Sequence, residues 1–176
     1  MSILKVARMG HPVLRQRTPK IDPADVPKPV IQRLIDDMFD TMREYVGIGL
    51  AAPQVHHSLR LFVAGVDGSD SSLLPVVMIN PEINVIGEVT EEDWEGCLSI
   101  PDIRGKVARA VEIRVRSLDR QGTPQQMTAS GFPARVIQHE TDHLNGVLFL
   151  DRMTSFKSLT FPEEYDRYWD KNDSAE

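Results

Sequence analysis

Pro133-Ala134-Arg135-Val136-Ile137-Gln138-His139-Glu140-Thr141-Asp142-His143-Leu144 is the stretch around which the rest of the chain must be arranged. The pattern predicts an amphipathic helix over 133–144, with Pro133 at its first turn, Ser130 as a nearby cap and Gly146 as its stop. Inside it, His139-Glu140-Thr141-Asp142-His143 is an H-E-x-x-H pattern. Residues four apart lie one turn above each other on a helix, so both imidazoles can reach a single ion. Glu140 lies beside them and can take a proton from an activated water and hand it to a departing amine. The competing reading is two ordinary half-buried histidines. With 5 histidines in the chain, a chance match is on the order of one percent.

Upstream, Pro19, Pro23, Pro27 and Pro29 mark an irregular loop. It leads into a helix over about 29–45, whose apolar Val30, Leu34, Met38, Met42 and Tyr45 oppose Asp36, Asp37, Asp40 and Arg43; Gly47 ends it. Strands are expected at 59–66, 76–80 and 83–86, separated by Gly, Pro or Asp-rich breaks. A further strand is expected over 107–118, where Val111, Ile113 and Val115 alternate with Glu112, Arg114 and Arg116. Asp119-Arg120-Gln121-Gly122 reads as a hairpin turn into a strand running through Met127. Helix, strands, helix in that order predicts an α+β fold, with antiparallel strands packed around a central helix that carries the H-E-x-x-H motif.

The 176 residues fit a single catalytic domain over 1–176. At 41% hydrophobic and 26% charged the chain has the composition of an ordinary globule with a core. Its net charge of −6 argues against nucleic-acid binding, so DNA is not an expected partner. No run approaches the roughly 20 apolar residues that span a bilayer. The opening segment is too short and too soon charged for a signal peptide, so the expected compartment is a bacterial-type cytosol, with an organelle also compatible. Cys97 is the lone cysteine, which leaves a small buried hydrophobe or a chemical participant.

Catalytic sites of zinc type take three protein ligands, so two histidines leave one to find. The H-E-x-x-H-x-x-G-x-x-H route is closed: Gly146 matches, but Phe149 stands where the third histidine belongs. Glu163 or Glu164 would serve a metallopeptidase with a carboxylate ligand, although Phe161-Pro162 fits a helix start poorly placed to return to the site. Cys97 offers a thiolate beside Gly96. Spacing does not choose between these.

Three segments resemble, in order, the signature motifs of the peptide deformylases: Gly47-Ile48-Gly49-Leu50-Ala51-Ala52-Pro53-Gln54, Glu95-Gly96-Cys97-Leu98-Ser99 and Gln138-His139-Glu140-Thr141-Asp142-His143. Gly10-His11-Pro12-Val13-Leu14-Arg15 and Asp119-Arg120-Gln121-Gly122 look like that family too. The resemblance implies hydrolysis of the N-formyl group from N-formylmethionyl peptides of newly made proteins, releasing formate. It implies Cys97, His139 and His143 as ligands of one divalent ion, Glu140 as general acid/base, and Gln54 with the Leu98 amide as oxyanion donors. The ion it implies is Fe(II), with zinc, nickel or cobalt as substitutes.

It further implies a substrate lying as an added strand along Ile48, Gly49 and Leu50, and Arg104 near the entrance. Phe132 and Val136, at earlier turns of the motif helix, are positioned to line a methionine pocket with Ile48; their plain alternative is core packing. Gln54 alone would read as a loop amide at the surface. Nascent peptides are the expected partners, with a transient ribosome contact and no membrane. The end of the chain resembles the subtype with a short C-terminus, because no long charged helix follows Met153. Instead Phe161, Tyr165, Tyr168 and Trp169 form an aromatic cluster, read as a satellite core more readily than as a dimer contact. A non-catalytic peptide-binding protein is the contrasting class, and Glu140 has no chemical reason to be present in one.

Overall fold

The computed structural model describes residues 2–65 and 75–169. In chain order it contains α1 (Pro29–Glu44), β1 (Gly49–Ala51), β2 (Leu61–Ala64), β3 (Val76–Val85), β4 (Thr90–Cys97), β5 (Ile100–Ala110), β6 (Glu112–Leu118), β7 (Pro124–Ser130), α2 (Phe132–Leu144) and α3 (Pro162–Tyr168). A five-stranded sheet runs β1-β2-β3-β6-β7, and β4 and β5 form a separate hairpin; every pairing is antiparallel. α2 packs between the two sheets, touching β1, β2, β7 and β5. This is the α+β arrangement around a central motif helix.

α1 begins with proline at its first position, as expected, but its buried face is Ile31, Leu34, Ile35, Met38, Thr41 and Met42. Val30 is 66% exposed and Tyr45 lies beyond the last helical turn. A strict four-residue repeat drifts by about 40° per step around a helix of 3.6 residues per turn. The true stripe therefore mixes spacings of three and four, and its ends leave the predicted line.

Two expected strands, 76–80 and 83–86, are one strand, β3. Asn80 has φ +53 and the register shifts between Ile79 and Glu82, so the Asn80-Pro81 break is a bulge within the strand and not its end. The Asn80 side chain exchanges two hydrogen bonds with the Ile21 backbone, at 2.9 and 2.8 Å, tying the proline-rich loop to the bulge. Conversely, the single strand expected over 107–118 is two strands in different sheets. The chain turns a corner at Val111, whose amide donates to the Val89 carbonyl at 3.0 Å. No glycine or proline lies between Val107 and Leu118 to mark the corner. Of the strand expected over 59–66, β2 occupies 61–64, and Val66 lies outside the described residues. The charged strand β4 and the short β1 carried no apolar alternation by which to be found.

α2 starts one residue earlier than expected. Its N-cap is Gly131 at φ +61, with no side-chain bond, and Ser130 closes β7 instead of capping the helix. Gly146, at φ +74, stops it, and a Cβ there would meet the Arg15 carbonyl at 2.7 Å. Ala134, Val136, Ile137 and Leu144 pack with Phe62, Met78, Ile113 and Val115 into the core under the sheet. The aromatic residues of the C-terminus are not a satellite core. Phe161, Tyr168 and Trp169 are 58%, 68% and 50% exposed, and Tyr165 alone is half-buried, against Trp94. α3 has only one hairpin face to pack on and too few residues to enclose the rest.

Candidate active site

Three elements meet at the site. Along β4, Glu95 and Cys97 alternate with Trp94 and Gly96, so the carboxylate and the thiol both face α2. Leu98 and Ser99 turn the chain between Cys97 and Ile100. From α2, His139 and His143 lie a turn apart with ring centroids 5.0 Å from each other. Beside β1, the short turn Ala52–Val55 presents Gln54.

Cys97, His139 and His143 each offer one donor atom, all within 4.8 Å of one another. Cys97 Sγ lies 3.2 Å from His143 Nε2. His139 turns its other nitrogen, Nδ1, to Glu95 Oε2 at 2.9 Å, which assigns the proton there and leaves Nε2 free toward the thiol. Burial pushes the Cys97 thiol up, but the charges and hydrogen bonds of His143 and His139 overcome this and hold it well below its usual range. A thiolate with two imidazoles is a donor set suited to a borderline-soft divalent ion. Among the described residues Glu140 Oε2 and His143 Nδ1 have no hydrogen-bond partner although buried. Glu140 Oε2, orphaned beside the three donors and in a residue that lines the cleft, fits a site built to hold an ion and its reactants.

Burial pushes the Glu140 carboxyl up to about 7, against the pull of His139 and His143. A carboxylate near neutrality can both accept and release a proton. Its position depends on Gly49: a Cβ there would lie 2.3 Å from Glu140 Oε1 and 2.7 Å from Cδ. Gly49 shows no positive φ, so alanine meets a purely steric obstacle. We expect Gly49→Ala to lower kcat about 100-fold by displacing the carboxylate, with metal content unchanged. Steady-state formate release alongside metal analysis checks this, and a variant within threefold of the parent would refute the dependence.

Gln54 is buried, not a surface amide. Its Oε1 accepts from the Ala51 amide at 2.8 Å, which aims Nε2 at Ser99 Oγ (3.3 Å) and Cys97 Sγ (3.6 Å). Gly47 lets the Leu98 side chain approach, since a Cβ there would meet Leu98 Cδ1 at 2.9 Å. The first and second motifs are thereby locked together over the third.

Outside the donor atoms lies a cleft of about 560 Å³. Gln54, Leu98, Ile48, Gly49, Arg104, Phe132 and Val136 line it, with Cys97, His139 and Glu140. His143 sits deeper, at 1% exposure. Leu50 is not at the cleft with its side chain: it is fully buried in the core against α1. Glu163 and Glu164 stand exposed in the first turn of α3, and the donor cluster does not include them.

Sequence reasoning missed the charged network behind the histidines. Glu95, 6% exposed, accepts from Arg109 Nε (2.8 Å) and Nη2 (3.0 Å) and from Arg135 Nη1 (3.0 Å) as well as facing His139. Arg109 continues to Asp142 at 2.6 Å, and Asp142 accepts from Arg152 at 2.7 and 3.0 Å. Burial alone would raise the Glu95 carboxyl, but Arg109 and His139 bring it down to about 2. One signal was available: Arg109 is in phase with buried Val107 along β5, a cation on an inward face that demands an anion.

The family model for polypeptide deformylase matches residues 3–158. A peptide deformylase of Salinibacter ruber is 45% identical over 164 residues, covering 88% of this chain and 83% of its own. Peptide deformylase 2 of Nostoc is 41% identical over 177 residues, covering 97% of each. Among solved structures, the peptide deformylase of Thermotoga maritima superposes with a TM-score of 0.80 at 39% identity, over 88% of this chain and all of that one. A class I type b peptide deformylase of Acinetobacter baumannii, bound to Met-Ala-Ser, gives 0.82 at 38% identity, over 87% and 100%. On sequence and fold together the chain belongs to the polypeptide deformylase family, metal-dependent hydrolases that remove the N-formyl group from nascent peptides.

Proposed function

We propose that residues 1–176 act as one catalytic domain in which Cys97, His139 and His143 hold the ion, Glu140 moves the proton, and Gln54 with the Leu98 amide receives the developing oxyanion. The observation that carries this is the convergence of the Cys97, His139 and His143 donor atoms within 4.8 Å beside a carboxyl raised to about 7. When bound, the ion supplies Lewis-acid charge at the carbonyl oxygen and makes a water more acidic.

Glu140 removes the proton from the attacking water and delivers it to the departing methionyl nitrogen, breaking the formyl C–N bond and giving formate and a free amine. Gln54 Nε2 and the Leu98 N–H are neutral donors, so they stabilise negative charge on the former carbonyl oxygen without competing for the ion. Glu95 keeps His139 in the tautomer that presents Nε2.

The substrate is an N-formylmethionyl peptide, its backbone laid beside Ile48 and Gly49 and along the Leu50 main chain. Its methionine side chain enters the apolar part of the cleft between Ile48, Phe132 and Val136, and Arg104 stands at the entrance. The Met-Ala-Ser bound to the Acinetobacter relative is the peptide such a reaction leaves. The resident ion in this reading is Fe(II); zinc, nickel and cobalt suit the same donors. The reading places the enzyme in a bacterial-type cytosol beside translating ribosomes, in transient contact at most and away from DNA. No described helix is long and apolar enough to cross a membrane.

The test is formate release from formyl-Met-Ala-Ser by enzyme loaded anaerobically with Fe(II), Ni(II) or Co(II). Tight peptide binding with no formate would overturn the enzymatic reading in favour of a peptide-binding protein. Metal analysis of protein expressed and purified without oxygen reports the resident ion, and zinc without iron would reject Fe(II).

A further inference from the structure

The segment after residue 158 lies beyond the matched family model, yet it is built into the cleft. Arg104 and Thr160 exchange both backbone hydrogen bonds, at 2.8 and 2.9 Å, and Ser158 Oγ accepts from the Lys106 amide at 3.0 Å. The segment is thus pinned to the edge of β5 by one antiparallel bridge at Thr160. α3 then returns across the hairpin face that carries Trp94, Gly96, Arg104 and Lys106, opposite the face that meets α2. Tyr165 packs edge-on to Trp94 at 5.0 Å and lies 4.9 Å beneath the Arg104 guanidinium, and Pro162 joins Trp94 and Arg104 in lining the cleft. Gly96, paired across from Arg104 and next to Cys97, lies beside the arginine stem.

An arginine side chain on an exposed strand ordinarily samples many rotamers. Here its head is held over an aromatic face, which orders it without consuming its hydrogen-bond donors. The cleft's open charges are Arg8 and Arg104 against Asp102, so the entrance is net cationic in a chain of net charge −6.

We propose that segment 160–169 is a specificity element for deformylation, with Tyr165 as a positioning residue that holds Arg104 to select a carboxylate on the peptide downstream of the formyl-methionine. This rests on the deformylase reading of the site. The test uses metal-loaded full-length enzyme and compares kcat/KM for formyl-Met-Ala-Asp amide with that for formyl-Met-Ala-Lys amide. The parent enzyme is expected to favour the aspartyl peptide about three- to fivefold. Tyr165→Ala and Arg104→Met are expected to bring the ratio to about one, and Tyr165→Phe, which keeps the ring, to preserve it. A general folding defect lowers both rates together and leaves the ratio intact, so a Tyr165→Ala enzyme that keeps the preference overturns the proposal. So does a parent enzyme with no preference. Absence of formate from every peptide would instead remove the deformylase reading, and this inference with it.

Discussion

Glu140→Gln is expected to lower kcat by about 10²- to 10⁴-fold while leaving metal content and the KM for formyl peptides near their parental values. The substitution keeps the shape of a side chain enclosed by α2 and β1, so Gly49 still packs against it. What disappears is a group that can accept a proton and return it. Burial lifts this carboxyl to about 7, and its Oε2 has no partner among the described residues, so no hydrogen bond within the fold competes for the proton. Glu140 is not one of the three converging donors, so its loss should be separable from loss of the ion. Steady-state formate release paired with metal analysis of the same sample decides the matter. A variant within tenfold of the parent, or one whose activity falls only in proportion to its metal, would show that the proton moves by another route.

The motif helix and its spacing were legible because helical periodicity and metal chemistry make the same demand on residues 139 and 143. The five-stranded sheet was legible only in part. β6 alternates cleanly, but β3 hides a bulge at Asn80-Pro81 that reads as a break, and the corner at Val111 is unmarked because no glycine or proline lies between Val107 and Leu118. Cys97 could not be joined to the histidines by spacing, since a hairpin and not a local turn brings them together. Gln54 looked like a surface amide because the Ala51 amide that fixes it is a backbone group, carrying no side-chain signature. Glu95 was read only as part of a motif. Its partners Arg109 and Arg135, and Asp142 on the far side of Arg109, come from β5 and α2, and no pattern within one element relates them.

That network sets the second large effect. Glu95→Gln is expected to destabilise the protein by about 3–5 kcal/mol, because it leaves Arg109 and Arg135 buried beside a neutral group. For a chain of this size the melting temperature should fall by roughly 6–20 °C. A second consequence should accompany it: metal affinity weaker by about 10- to 100-fold, since His139 loses the carboxylate that fixes its tautomer. The two are separable by adding Arg109→Met. Replacing both members of a buried pair restores much of the lost stability, and Asp142 keeps two hydrogen bonds from Arg152 while Arg135 keeps the Val107 and Glu91 carbonyls. The methionine cannot orient an imidazole. Denaturant unfolding of the metal-free protein should therefore recover in the double variant, and metal titration should not. If both recover together, Glu95 serves only to hold the hairpin against α2. If the single variant unfolds within 1 kcal/mol of the parent, the guanidinium groups have found water and the network is not the buried one that the 5% and 4% exposures of the Arg109 and Glu95 side chains describe.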